Sequence, residues 1–507
     1  MSDQQPLPPF DPPMQPPEIG GGEPPVPGAS PPSAPAGEGG GGRTRWLLLG
    51  LAVLLWGVVV GGAIVGWLVL REDTPAYPDA WDDRVAAIVA FVEDERGLDF
   101  EHPVYVDFLP EDEFREKVTT SKDELTDEDR KEIEQATSLL RALGLVEGDL
   151  DLFEEQNQLS GDATLAFYDP DTKRVTVRGT ELTPSVESTL AHELTHALQD
   201  QHFDLEAVRE EAGEDRALVY RALVEGDAMN VQQAFNQSEL TRTERQEVER
   251  KDQEAGDRAY TGREPALVAF MAAPYAIGPT FASLVEADGG RRALDRLYRE
   301  GLPDEVALFD PTRLDDEPLE VELPSVPDGA ERIDDGEFGT FGWFVVLAAR
   351  LDGQEALAAI DGWGGDSYVS YDDGGRVCVE ARYRGTNRKA TEAMEGLLDE
   401  WAASMPSGAA SVDSSGDVVE LRSCDPGGDS TAKPNDVVKA LQYPVGRLVT
   451  AQQLLDQYRG QFDLDQVWCV SKRMFDELTL EQLNSTTPDP ELIREVQNLT
   501  LSCLRGG

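Results

Sequence analysis

The sequence predicts a mixed α+β fold, and three observations carry that prediction. Two short apolar runs at 163–168 and 174–178 flank the turn Asp169-Pro170-Asp171-Thr172, which is a hairpin signal. Directly after it, 185–201 sets Val186, Leu190, Leu194 and Ala197 on one helical stripe. Helical periodicity then continues through 205–235, 242–257 and 266–287, before strand-like runs at 368–382 and 418–423. Runs of helices and strands that do not alternate strictly point to α+β rather than to a wound parallel sheet.

Taken in order, the chain begins with a tail at 1–42 that holds 13 prolines and nine glycines. So little apolar surface cannot offset the entropy of ordering, and the tail is expected to be disordered and cytoplasmic. Its Pro-Pro pairs can dock as polyproline II in an aromatic groove, beside the plainer reading of a solvated tail. An anchor follows at 43–71. Within it, 46–70 carries no charge over 25 residues, enough as a helix to cover roughly 37 Å and span a bilayer core. Arg43 and Arg45 precede that run and Arg71 follows it, so the N-terminus is expected in the cytoplasm and the C-terminal domain outside the cell membrane. The spacings Gly57/Gly61 and Gly62/Gly66 permit a homodimer through the membrane helix.

The main domain is expected at 75–424, with a helix at 79–96, a strand at 104–108 and a helix at 126–145 capped by Thr126. The helical stretch at 205–235 carries Gly213, where an interruption is expected. The segment Gly362-Trp363-Gly364-Gly365-Asp366 reads as a tight turn into a strand, with a cleft lining as the other reading. A Gly, Ser and Pro-rich linker at 425–435 leads to a mostly helical module at 436–507.

The formal charge of −54, from 98 acidic against 44 basic residues, repels phosphate backbones and argues against nucleic-acid binding. Four cysteines, Cys378, Cys424, Cys469 and Cys503, lie on the side expected to be oxidising. No CxxC spacing suggests a cysteine metal site. Cys378 and Cys424 sit in neighbouring strand-like runs, which pairs them with each other and leaves Cys469 with Cys503.

The chemistry concentrates in His192-Glu193-Leu194-Thr195-His196, an HExxH pattern. Two imidazoles at i and i+4 share one helix face and can reach one Zn²⁺, while Glu193 between them is placed as the general base toward water. The chain has four histidines, and three of them fall at 192, 196 and 202. His202 has the spacing of a third ligand in HExxHxxGxxH, but Gln199 stands where that pattern needs a glycine to break the helix. On an unbroken helix His202 points roughly 80–120° away from the other two imidazoles, so it is expected at the helix end. Glu225 is the stronger third ligand, because Ala222, Gly226 and Ala228 around it allow a second helix to pack closely. Asp227 can orient an imidazole only if that helix packs obliquely. His102, beside a strand, reads as structural.

The hairpin, the HExxH helix and the downstream Glu225-Gly226-Asp227-Ala228 resemble the gluzincin branch of the zincin metallopeptidases, including predicted membrane-anchored bacterial metalloproteases. The resemblance covers mainly 160–235. It implies a zincin-like domain with a small mixed sheet, a Zn²⁺ ion held by His192, His196 and Glu225, and Glu193 as catalytic base in an endopeptidase. It also implies that the strand at 163–168 pairs with an extended peptide or protein substrate, and that a histidine or tyrosine stabilises the oxyanion; with His102 the only histidine far from the motif, a tyrosine is expected. A catalytically silent zinc module that binds peptides or an envelope partner is the alternative.

Overall fold

The computed structural model describes residues 76–119, 125–155, 165–429, 433–485 and 489–504. The expected tail, the anchor with its GxxxG spacings, and the first residues of the 163–168 strand lie outside these. Among the described residues one helix, Pro265–Gly289, is long and apolar enough to cross a membrane, and 72% of its apolar window is buried inside the protein. Burial of that kind makes it a core helix here.

The α+β expectation holds, with helices clearly in the majority and two sheets. The first sheet has three strands, β1 (Tyr105–Leu109), β2 (Ala166–Asp169) and β3 (Arg174–Arg178), in the order β1-β3-β2. β1 runs parallel to β3 and β2 antiparallel to it, so the sheet is small and mixed, and β2 is an edge. The second sheet is antiparallel: β4 (Glu331–Gly336), β5 (Trp363–Asp372), β6 (Val377–Gly385), β7 (Ala410–Ser415) and β8 (Val418–Cys424), in the order β4-β5-β6-β8-β7. Only part of it is foreseeable from the sequence, because its outer strands are mostly polar. β7 reads Ala-Ser-Val-Asp-Ser-Ser and has no apolar face to betray it.

The expected helix at 79–96 begins later, at Ala86–Arg96, because residues 83–85 form a turn. The helical stretch expected at 205–235 is two helices, Leu205–Ala212 and Ala217–Ser238, interrupted as expected at Gly213, which has φ 63°. Positive φ there suits glycine and ends the first helix. The glycine-rich segment at 362–366 is a corner, as its simpler reading holds. A Cβ at Gly365 would lie 2.1 Å from the Leu319 carbonyl oxygen, and the Trp363 indole N–H donates to Asp366 at 2.7 Å. The Asp366 carboxylate in turn accepts from the Gly339 N–H at 3.1 Å, at the start of the helix Gly339–Ala348.

Both expected disulfides are present, Cys378–Cys424 and Cys469–Cys503. The first joins residues directly opposite in the β6–β8 register, and the second ties the helix Leu464–Glu477 to Pro490–Leu504. The C-terminal helices are not separate from the main core. Leu448, Ala451 and Trp468 belong to the same buried cluster as Phe281 and Trp343, and the fully buried Arg447 is paired with Asp361 at 2.9 Å.

Two hydrophobic cores meet along Ala217–Ser238. Val219, Ala222, Leu223 and Val224 face the larger core, whereas Val231 and Phe235 face a smaller one built on Ala86–Arg96, the three-stranded sheet and the HExxH helix. At the seam, Gly226 lies on Gly278 of the core helix Pro265–Gly289. A Cβ on Gly226 would stand 2.3 Å from the Gly278 carbonyl, and one on Gly278 2.2 Å from the Ala222 oxygen. The small residues around Glu225 therefore serve a crossing with Pro265–Gly289, as well as the packing against the HExxH helix that the sequence suggests. Adding a methyl at a backbone-on-backbone contact forces the helices apart. Gly226→Ala and Gly278→Ala are each expected to cost about 1–3 kcal/mol of stability or more, read by denaturant unfolding.

Candidate metal centre

The HExxH segment sits in the helix Pro184–Phe203, which starts with Thr183 accepting from the Val186 N–H and with proline in its first turn. It ends at Asp204, whose φ of 54° turns the chain and whose side chain caps the next helix at the Ala207 N–H. The helix is enclosed by Ala86–Arg96, β2, β3, Ala217–Ser238 and Arg242–Tyr260, so its polar residues at 192, 193, 196 and 199 are all buried.

His192, His196 and Glu225 converge. The two Nε2 atoms are 3.0 Å apart, and Glu225 Oε2 lies 3.2 Å from His192 Nε2 and 3.5 Å from His196 Nε2. Adjacent ligands of a tetrahedral ion bound at about 2.1 Å are about 3.4 Å apart, so this triangle has the right size for a metal. Three lone-pair donors turned toward one point, buried and with one carboxylate among them, can hold a divalent ion. Two imidazoles with one carboxylate suit a zinc-like ion better than calcium or magnesium, which prefer oxygen. Among the described residues no other group of three or more such side chains closes on a point in this way.

In the metal-free protein the same atoms form a charged pair. Burial opposes charge on His196, but the Glu225 carboxylate beside it more than compensates and holds the imidazole up at about 9. Burial likewise opposes ionisation of Glu225, and the facing His196 and His192 hold it down at about 2.

Glu193 follows His192 and points to the sheet. Its Oε2 accepts the Tyr168 N–H of edge strand β2 at 2.8 Å. The Tyr168 hydroxyl donates to Asp200 at 2.6 Å, and Lys173 reaches the same carboxylate at 2.6 Å, so one residue of β2 is pinned to the helix at both ends. On the far side of the triangle, His196 Nδ1 lies 2.9 Å from Gln199 Oε1. Gln199 Nε2 donates to the Val224 oxygen at 3.1 Å and to Asp227 at 2.9 Å. Asp227 is held by Arg96, 3.0 Å away and 5% exposed.

His202 does not join the triangle. Its Nε2–H donates to the Asp99 carbonyl at 2.8 Å, a helix-end role. His102 is also remote, with its ring against Tyr77 at 3.6 Å and its carbonyl accepting from Gln201. Asp227 does act on an imidazole, through Gln199 rather than directly. The tyrosine left unidentified by the sequence has a candidate in Tyr275 of Pro265–Gly289. Burial first, then the charges of Glu225 and Glu193, raise its hydroxyl well above the usual range and keep it protonated. No local pattern marks Tyr275, because the carboxylates whose charges act on it, Glu225 and Glu193, lie 50 or more positions earlier in the chain.

Comparison of the chain with protein-family models, with characterised proteins and with solved structures returned no match.

The His196–Glu225 pair sets the pH behaviour of the metal-free chain. A raised imidazole stabilises fully below its ordinary 6.5 and loses that contribution as pH rises through about 9. The depressed carboxyl stabilises fully above 4.5 and loses its contribution as pH falls through about 2. The metal-free chain is thus expected to gain most from the pair between 4.5 and 6.5. Because a ligand imidazole must be neutral, uptake of a divalent ion at this triangle between 6.5 and 9 should release a proton and tighten as pH rises. Titration calorimetry in two buffers of different ionisation enthalpy counts that proton, and uptake without proton release would contradict the pairing.

Proposed function

We propose that this chain is a zinc-dependent endopeptidase of the gluzincin kind, anchored through 46–70 with its catalytic domain outside the cell membrane. The observation that supports the reading best is the buried triangle of His192, His196 and Glu225, with the charge of the buried Glu193 carboxylate acting on His196. Those three residues are the ones that hold the ion. Zinc bound there supplies Lewis acidity, which activates water and polarises a peptide carbonyl.

The remaining work falls to the chain's own groups. Glu193 takes the proton of the attacking water and passes it to the departing amine. Its hydrogen bond from the Tyr168 N–H, at 2.8 Å, fixes the carboxylate against β2 rather than leaving it to rotate. Tyr275, whose hydroxyl is kept protonated by burial and by the charges of Glu225 and Glu193, is the candidate donor to the negative oxygen that develops on the substrate carbonyl. β2 is an edge strand, and an edge offers backbone groups to an extended peptide. A substrate that extends the sheet there lies along the HExxH helix, since β2 is tied to that helix through Tyr168.

Zinc stoichiometry and cleavage of a peptide library by the full chain test this reading together. Glu193→Gln is expected to keep zinc and to lose about 10²–10⁴-fold in kcat. Glu225→Ala should lose zinc, and His202→Ala should lose neither zinc nor turnover. Zinc at full occupancy with no Glu193-dependent turnover would instead identify a silent peptide-binding module. Tyr275→Phe should leave zinc content and KM unchanged while kcat falls about 10²–10³-fold, the size expected for one lost oxyanion donor. An unchanged kcat would remove Tyr275 from that role.

A further inference from the structure

Gln199 carries more than its place in the sequence suggests. It stands where a glycine would be needed to bring His202 to the metal, and it is 1% exposed. Its amide is in contact with both ligand-bearing helices. Oε1 meets His196 Nδ1 at 2.9 Å, while Nε2 is surrounded by the Val224 carbonyl at 3.1 Å, Asp227 Oδ2 at 2.9 Å and the Tyr298 hydroxyl at 3.1 Å.

The donors and acceptors around this amide fix which way it faces. The Val224 oxygen is a carbonyl and can only accept. Asp227 receives Arg96 Nε at 3.0 Å on Oδ1 and 3.1 Å on Oδ2, and a guanidinium can only donate, so both Asp227 oxygens act as acceptors. Tyr298 can turn its own proton to the Leu223 carbonyl or to Asp227, each 3.3 Å away, and then also accepts. The nitrogen of the Gln199 amide must therefore face these three groups, which leaves its oxygen facing His196. An amide oxygen cannot donate, so the proton on that contact belongs to His196 Nδ1. With Nδ1 protonated, the neutral ring keeps its Nε2 lone pair for the point shared with His192 and Glu225.

The same amide also fixes where Glu225 lies. Val224 and Asp227 flank the ligand on the helix Ala217–Ser238, so a single side chain of the HExxH helix sets the register of the partner helix.

We propose that Gln199 is the positioning residue of the metal centre. It holds His196 as the Nδ1–H tautomer and locks the two ligand-bearing helices in register, and the Arg96–Asp227 pair keeps its amide the right way round. This rests on the reading of the triangle as a metal site. It assigns to Ala86–Arg96, which supplies no ligand, a part in metal affinity.

The test is zinc affinity of the full chain, measured by competition with a chelator, with the visible absorption of the Co²⁺-loaded chain as a second readout of geometry. Gln199→Leu and the isosteric Gln199→Glu are expected to bind zinc about 10–100-fold more weakly. In Gln199→Glu an acceptor still faces His196, but a second oxygen then opposes the Val224 and Asp227 oxygens. Adding Asp227→Asn supplies a donor to that oxygen, so the double variant should recover affinity and the wild-type cobalt spectrum relative to Gln199→Glu. A role in packing alone predicts no such recovery. Wild-type affinity in both single variants, or a double variant no better than Gln199→Glu, overturns the proposal while leaving the metal centre standing. A wild-type chain that takes up neither zinc nor cobalt overturns the metal centre, and this proposal with it.

Discussion

A carboxylate that is 2% exposed cannot stay ionised in a protein interior unless something of opposite charge or strong donor character meets it. Glu225 is that carboxylate, and much of the surrounding architecture answers the constraint. Two imidazoles from one helix face it, and a third helix, Pro265–Gly289, closes over its back through glycine. A second buried carboxylate nearby, Asp227, is matched separately by Arg96. Glu225 and Asp227 are thus met by different groups, the imidazoles for one and Arg96, which also reaches Asp295, for the other. Removing one partner of such a set leaves the other unpaired, so these residues tolerate exchange only in combination.

The parts of this site that were legible in the sequence are those whose logic is local. His192, Glu193 and His196 declare themselves because four residues make one helical turn, and Glu225 is recognisable from the small residues around it. The strands bearing Cys378 and Cys424 could be paired because each strand has its own apolar rhythm. What stayed hidden depends on partners far along the chain. Gln199 reads locally as the residue that denies His202 access, yet its contacts are at Val224, Asp227 and Tyr298. Arg96 is separated from Asp227 by 131 positions, and nothing in the Ala86–Arg96 helix signals that separation. β4 and β7 were missed for a different reason: they are polar edges, stabilised by pairing with a neighbour rather than by a face of their own.

The C-terminal helices show how far the site's support extends. They pack on Pro265–Gly289, the helix that carries Gly278 and Tyr275, and they share its core. Structural integrity of the site therefore involves segments that contribute no side chain to it, down to the pair Cys469–Cys503.

The contact of Gly226 with Gly278 differs in kind from ordinary core packing. Side chains between helices act as a cushion: they change rotamer, and the helices drift by fractions of an ångström while remaining packed. Here backbone rests on backbone, and there is no rotamer to change. The neighbouring ligand Glu225 consequently lacks a continuum of slightly loosened positions. It is in place while the crossing is closed and displaced once it opens, so opening of this seam takes the triangle apart with it.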